Sequence, residues 1–226
     1  MEVRIAPDPD RVGDLAAATV ARWLVDGGSL GLAGGQTPLA TYRQLLTQPV
    51  DWDSALLWMT DERWVPADHE DSNTAMARQA LADHVAAELL EVPEVGAGDG
   101  TAAAAAADSY ATTLQDRIGT SPHVVLLGIG DDGHTASLFP GTTALSEMDK
   151  VFVANWVESK GTWRLTATLP YLWAATQMAF VVTGEAKAAV LAEIIGGGSD
   201  LPAAMAADGA QDVTWFLDEA AASLLQ

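Results

Sequence analysis

The 226-residue sequence contains no cysteine. Disulfides, thiol nucleophiles and thiolate metal sites are thereby excluded, and a reducing cytoplasm is the expected compartment. Bases are also scarce. Eleven Lys and Arg stand against 31 Asp and Glu, a formal net charge of −20. Such acidity repels nucleic acid and anionic membranes, so neither is expected as a partner. Lysine occurs only as Lys150, Lys160 and Lys187. An anionic ligand must therefore be met by these, by a few arginines or by backbone N–H groups. No apolar run is long enough to span a bilayer, and "MEVRIAPDPD" carries neither a basic start nor a signal-length apolar stretch. The expectation is a soluble cytoplasmic protein with no obligate protein partner.

What is present is alternation. Hydrophobic residues make up 49% and charged ones 19%, enough to bury a sizeable core, and a single domain over 1–226 is expected. Helical patterns occupy 9–28, 38–46, 72–85 and 185–195. Strand-like runs occupy 29–35, 54–62, 123–128 and 178–184, and a final strand–helix pair falls at 212–225. The stretch 91–110 begins as a Pro/Gly-rich connection and passes into an alanine-rich helix that continues through "ADSYATTLQDRI". Strands alternating with helices predict an α/β fold, a mainly parallel sheet with helices on both faces. Segments 151–156 and 163–168 lie too close together for a helical crossover and predict an antiparallel excursion.

Four stretches carry chemistry. In "GLAGGQTP" (31–38), Gly34 and Gly35 let the backbone turn and approach a ligand. Thr37 suits a helix N-cap and Pro38 a first helical position. A helix start there would attract phosphate, although the same glycines could serve turn geometry alone. The stretch is neither GxGxxG nor a P-loop. In "TDERWVPADHEDSN" (60–73), Arg63 suits a phosphate or carboxylate. It could equally close a structural salt bridge to Asp61 or Glu62. Asn73 either bonds a ligand hydroxyl or caps the next helix. "LGIGDDGHTASLFPG" (127–141) leaves a buried strand through glycines and presents Asp131, Asp132 and His134. Histidine is the usual general base near neutral pH, and Asp132 is close enough to set its tautomer; a loop-carbonyl bond is the alternative. No metal-ligand spacing and no GxSxG elbow occurs, so neither a metal, nor another cofactor, nor an activated Ser137 is expected. The last stretches are "WRLTATLP", with Arg164 and upstream Lys160, and "TGEAKAAVL". Lys187 there opposes the dipole of the helix it begins, which calls for Glu185 or a ligand as its anion.

Taken in order, these motifs resemble the 6-phosphogluconolactonases, in the family that also holds glucosamine-6-phosphate isomerases and deaminases. "DGHTASLFPG" is the most specific, and the resemblance runs from about residue 30 to the C-terminus. It implies a three-layer α/β/α Rossmann-like domain with a small extra β region. It also implies hydrolysis of a small-molecule sugar-phosphate lactone, 6-phospho-D-glucono-1,5-lactone. The phosphate would lie against Gly34, Gly35, Gln36 and Thr37, with Arg63 and Lys187 as counter-charges and Arg164 or Lys160 as further candidates. Asp61 and Asn73 complete the implied substrate-binding set. His134 would activate water and Asp132 would orient it. The chain departs from the family at Gln36, where Ser or Thr is usual, at "KGTWR", where prolines are frequent, and at Asp131, where Glu is common. The alternatives are an amino-sugar phosphate deaminase and a non-catalytic sugar-phosphate sensor. "DERWVP" and "ASLFPG" favour the lactonase.

Overall fold

The computed structural model describes residues 1–93, 96 and 98–225. Part of the expected Pro/Gly-rich connection (Glu94, Val95 and Ala97) lies outside the described residues.

Helix starts follow local chemistry. In α1 (Pro9–Trp23), Asp8 accepts the Arg11 N–H at 2.9 Å and Pro9 takes the first helical position. Val12, Ala16 and Val20, spaced by four, form its buried stripe. The alanine-rich helix α4 (Gly100–Arg117) begins at Asp99, which caps it, and turns Ala103, Ala107, Tyr110 and Leu114 inward. Tyr110 is fully buried. Its hydroxyl donates to the Leu90 carbonyl (2.9 Å) and accepts from Met59 N–H (2.8 Å), fastening the helix to two strands.

Seven strands form the central sheet: β1 (Glu2–Ala6), β2 (Gly28–Leu32), β3 (Ala55–Met59), β5 (Glu88–Leu90), β6 (Val124–Leu127), β9 (Gln177–Val182) and β10 (Val213–Asp218). Their order is β1-β10-β9-β6-β2-β3-β5 and every pair is parallel. Period-two alternation sorts side chains between two cores. Val124 and Leu126 of β6 face α1, α2 (Gln36–Leu45) and α3 (Asn73–Ala80). Val125 and Leu127 face α4, α5 (Leu169–Trp173), α6 (Ala188–Gly196) and α7 (Pro202–Gly209). This is the three-layer α/β/α arrangement. Phe180 and Trp215 stack at 4.0 Å in the second core. Each side chain of that size buried completely contributes on the order of 1.5–3 kcal/mol.

A second sheet of three antiparallel strands, β4 (Asp61–Arg63), β8 (Thr162–Ala167) and β7 (Phe152–Val157), packs into that same core through Phe152, Leu165 and Ala167. It contains the antiparallel excursion expected from the short spacing. Among the described residues no helix is long and apolar enough to cross a membrane.

Several expectations are corrected. The C-terminal segment is β10 followed by turns over 219–224, not a helix. Asp218 accepts the Ala221 N–H (2.7 Å), closing a tight turn. The helix expected over 9–28 ends at Trp23, before Gly27 and Gly28. The one expected over 72–85 ends at Ala80 and continues only as a 3-10 turn. The strands β1 and β5 escaped the sequence reading. They are five and three residues long and lie at the sheet edges, where little apolar pattern is needed.

Candidate active site

Strand order reverses between β2 and β6. From β2 the chain builds outward through β3 and β5, and from β6 it builds the other way through β9 and β10. Open α/β sheets bind ligands at the carboxyl ends of strands at such a switch point. A cleft of about 310 Å³ lies there. Ala33–Pro38 after β2, Gly128–Gly130 and His134 after β6, and Thr183 and Lys187 after β9 line it, together with Asp61 and Arg63 of the small sheet. Three loops far apart in sequence thus meet because their strands are neighbours, and β4 of the small sheet closes the cleft.

One pole of the cleft suits an anion. Helix α2 starts at Gln36, with Gly35 rather than Thr37 as its N-cap, so Thr37 and Pro38 sit two positions further in than expected. Gly35 has φ +105°, which demands glycine, and no side chain caps the helix. Its first N–H groups therefore face the cleft without an intrahelical partner. Thr37 Oγ1 lies 3.3 Å from Thr183 Oγ1, a residue that sequence reasoning passed over. Thr183 directly follows β9, so the strand-end rule could have found it. Lys187 Nζ reaches Asp131 Oδ1 at 2.5 Å. The anion that Lys187 requires is thus Asp131, not Glu185. Its hydrogen bond holds the Asp131 carboxyl below the usual range. Behind this loop, Asp218 accepts the Gly184 N–H at 3.0 Å and ties the β9 exit to β10.

An imidazole occupies the facing wall. His134 Nδ1 lies 2.5 Å from Asp132 Oδ1, and the ring stacks on Phe139 with centroids 4.0 Å apart. A carboxylate at Nδ1 favours the tautomer that leaves the Nε2 lone pair free. Burial works to raise the Asp132 carboxyl, but the hydrogen bond and charge of His134 outweigh it and hold it below the usual range. A side chain at Gly130 would collide with the His134 ring, so only glycine admits this packing. The His134 side chain is 27% exposed and Asp132 47%. Asp132 does not line the cleft; it lies at the Nδ1 edge of the ring.

Arg63 enters the cleft and makes no salt bridge to Asp61 or Glu62. Its Nη1 donates to the Asp71 carbonyl (2.7 Å) and its buried Nε has no partner. Glu62, missed by sequence reasoning, is a buried anchor. Its carboxylate accepts N–H bonds from Arg63 (2.8 Å), Asn73 (2.7 Å) and Thr74 (2.7 Å). The cap of α3 is Ser72, not Asn73. Asn73 lies behind the cleft wall, against the backbone of Gly34, and donates to Asp61 Oδ1 at 3.2 Å. Arg164 stands directly across from Arg63 on β8, outside the cleft lining. Burial, together with the neighbouring Arg63 charge, lowers its pKa. Lys160 is exposed on the turn between β7 and β8, away from the cleft.

These features define an open α/β protein whose strand-end cleft joins an anion-attracting helix end to an acid–base group. The family model described as glucosamine-6-phosphate isomerases/6-phosphogluconolactonase matches residues 10–215. A 6-phosphogluconolactonase of Nostoc sp. is 36% identical over 205 residues, covering 87% of this chain and 84% of that one. One of Rattus norvegicus is 39% identical over 212 residues, covering 87% and 80%. The solved 6-phosphogluconolactonase from Trypanosoma cruzi superposes with a TM-score of 0.89 at 27% identity, over 100% of this chain and 97% of that one. The chain belongs to the glucosamine-6-phosphate isomerase/6-phosphogluconolactonase family.

Proposed function

We propose that the chain is an enzyme that hydrolyses 6-phospho-D-glucono-1,5-lactone to 6-phospho-D-gluconate in the cytoplasm. One observation carries this reading. The carboxylate-held imidazole of His134 shares a single cleft with the uncapped start of α2, Arg63 and Lys187. Similarity to 6-phosphogluconolactonases over most of both chains supports the same choice of substrate.

In this mechanism the phosphate lies on the N–H groups of Gly35–Thr37, with Lys187 and Arg63 as counter-charges. Binding the distant phosphate positions the lactone carbonyl near His134. The His134 Nε2 takes a proton from water as its oxygen attacks C1. The tetrahedral intermediate then expels the ring oxygen, which receives that proton and becomes the C5 hydroxyl. The new carboxylic acid ionises to solvent. Asp132 keeps the tautomer and stabilises the transient imidazolium. A lactone is an activated ester, so no covalent intermediate enters the scheme.

The test generates the lactone in situ with a glucose-6-phosphate dehydrogenase and measures hydrolysis above the spontaneous rate. Clear acceleration is expected. His134→Ala should keep the fold and phosphate affinity but lose about 10²–10⁴-fold in kcat, the usual worth of general-base help. Near-normal turnover in that variant would remove His134 from the mechanism. Ammonia release from glucosamine 6-phosphate, without lactone hydrolysis, would replace the reaction itself.

A further inference from the structure

Ser137 follows His134 by three residues, and no part of the reaction scheme uses it. All three of its polar groups are nonetheless bound, each by a different strand of the small sheet. Its N–H donates to Thr166 Oγ1 of β8 at 3.2 Å. Its hydroxyl donates to Asp61 Oδ2 of β4 at 2.6 Å. Its carbonyl accepts from Asn155 Nδ2 of β7 at 2.9 Å. Asn155 and Thr166 are completely buried, and neither lines the cleft.

Directly before Ser137 stands Ala136, whose φ of +48° is the one left-handed value on a non-glycine among the described residues. Such a conformation persists only where the surroundings over-determine it. Here they do. On one side Gly130 N–H donates to the His134 carbonyl (2.8 Å), and Thr135 Oγ1 donates to the Gly128 carbonyl (2.9 Å). On the other side stands the three-strand clamp on Ser137. Packing alone would be met by apolar side chains at 155 and 166, since burying a hydroxyl and an amide carries a desolvation cost unless both are bonded. Both are used on the loop that carries the imidazole: the Thr166 hydroxyl accepts the Ser137 N–H, and the Asn155 amide donates to the Ser137 carbonyl and to Thr142 Oγ1.

We infer that Thr166 and Asn155 are positioning residues: through Ser137 they hold Ala136 in its left-handed turn and set the position of the His134 ring against the cleft. The inference rests on the proposed role of His134, and its test separates the two. Thr166→Val keeps shape and removes the hydroxyl; Thr166→Ser keeps the hydroxyl. Three readouts are taken: kcat and KM for the lactone, Tm, and the chemical shifts of the His134 ring protons. In Thr166→Val, kcat should fall on the order of ten- to a hundredfold, the size expected of small misplacements. KM should stay within about twofold, because the phosphate pole is untouched. The His134 shifts should move, and Thr166→Ser should restore both. Asn155→Asp, which keeps size but turns the donor into an acceptor, should reproduce the kcat loss and serves if Thr166→Val does not fold. A lowered Tm with unchanged kcat, or no recovery in Thr166→Ser, would overturn the inference. Should the unaltered chain not hydrolyse the lactone, the functional reading fails. The ring shifts then decide alone, and unmoved shifts in Thr166→Val would overturn the clamp.

Discussion

Replacing Asp132 with Asn removes a charge while leaving an oxygen that can still accept from His134 Nδ1. The tautomer is kept, and only the attraction between carboxylate and imidazolium is lost. Two unit charges about 4 Å apart interact by about 1 kcal/mol in water and about 4 kcal/mol at an effective dielectric of 20. Asp132 lies 2.5 Å from Nδ1, but its side chain is 47% exposed and the imidazole 27%. Water therefore screens the pair, and a value of about 2 kcal/mol follows. That is about a thirtyfold loss of kcat, because the imidazolium exists only after water has given up its proton. KM should not change, since Asp132 lies at the Nδ1 edge of the ring and outside the cleft lining. The assay is lactone hydrolysis with substrate generated in situ, read as kcat and KM separately. A kcat within threefold of the unaltered chain, or a loss confined to KM, would refute the reasoning.

Three more outcomes are expected. Arg63→Ala should raise KM about 10–100-fold with kcat little changed, as befits a lost charge-assisted bond; an unchanged KM would move the phosphate elsewhere in the cleft. Glu62→Gln puts an amide donor where the carboxylate now accepts three backbone N–H groups. A stability loss of about 2 kcal/mol, or a Tm roughly 4–8 °C lower, should follow, and a melt within 1 °C of the original would contradict that role. The last concerns acid. The folded-state carboxyl of Asp132 titrates below its ordinary value of 3.8, so the unfolded chain binds its proton first as pH falls. Its stabilisation is complete above that value and disappears as pH drops through the folded one. Melts of the unaltered chain and Asp132→Asn should draw together as pH falls from about 5 through the unfolded value and on through the lower folded one. A constant gap across that range would show that the pair is not the source.

Much of the cleft was legible because strand-end glycines announce themselves locally. "LAGGQ" and "GIGDDGH" each follow an apolar run, and the parallel sheet carries both runs to the same edge. Residues whose role depends on a distant partner gave no such signal. Glu62 looks like any acid in "TDER", yet it accepts N–H bonds from residues 73 and 74. Ser137 looks idle until strands β4, β8 and β7 surround it. Lys160 and Arg164 appeared equivalent as cations, and only the hairpin separates them: one is exposed on its turn, the other sits beside Arg63.

By itself, the sequence determined the alternation of strands and helices, the lack of thiol chemistry, the short list of bases and the proximity of Asp132 to His134. Each depends on residues within one helical turn, one strand or one loop. Tertiary structure alone decided which helix end opens on the cleft, that Asp131 is the partner of Lys187, and how the small sheet grips the histidine loop. Those contacts join positions up to 146 residues apart. Their energies depend on the distance and burial that folding creates, and no local pattern encodes either.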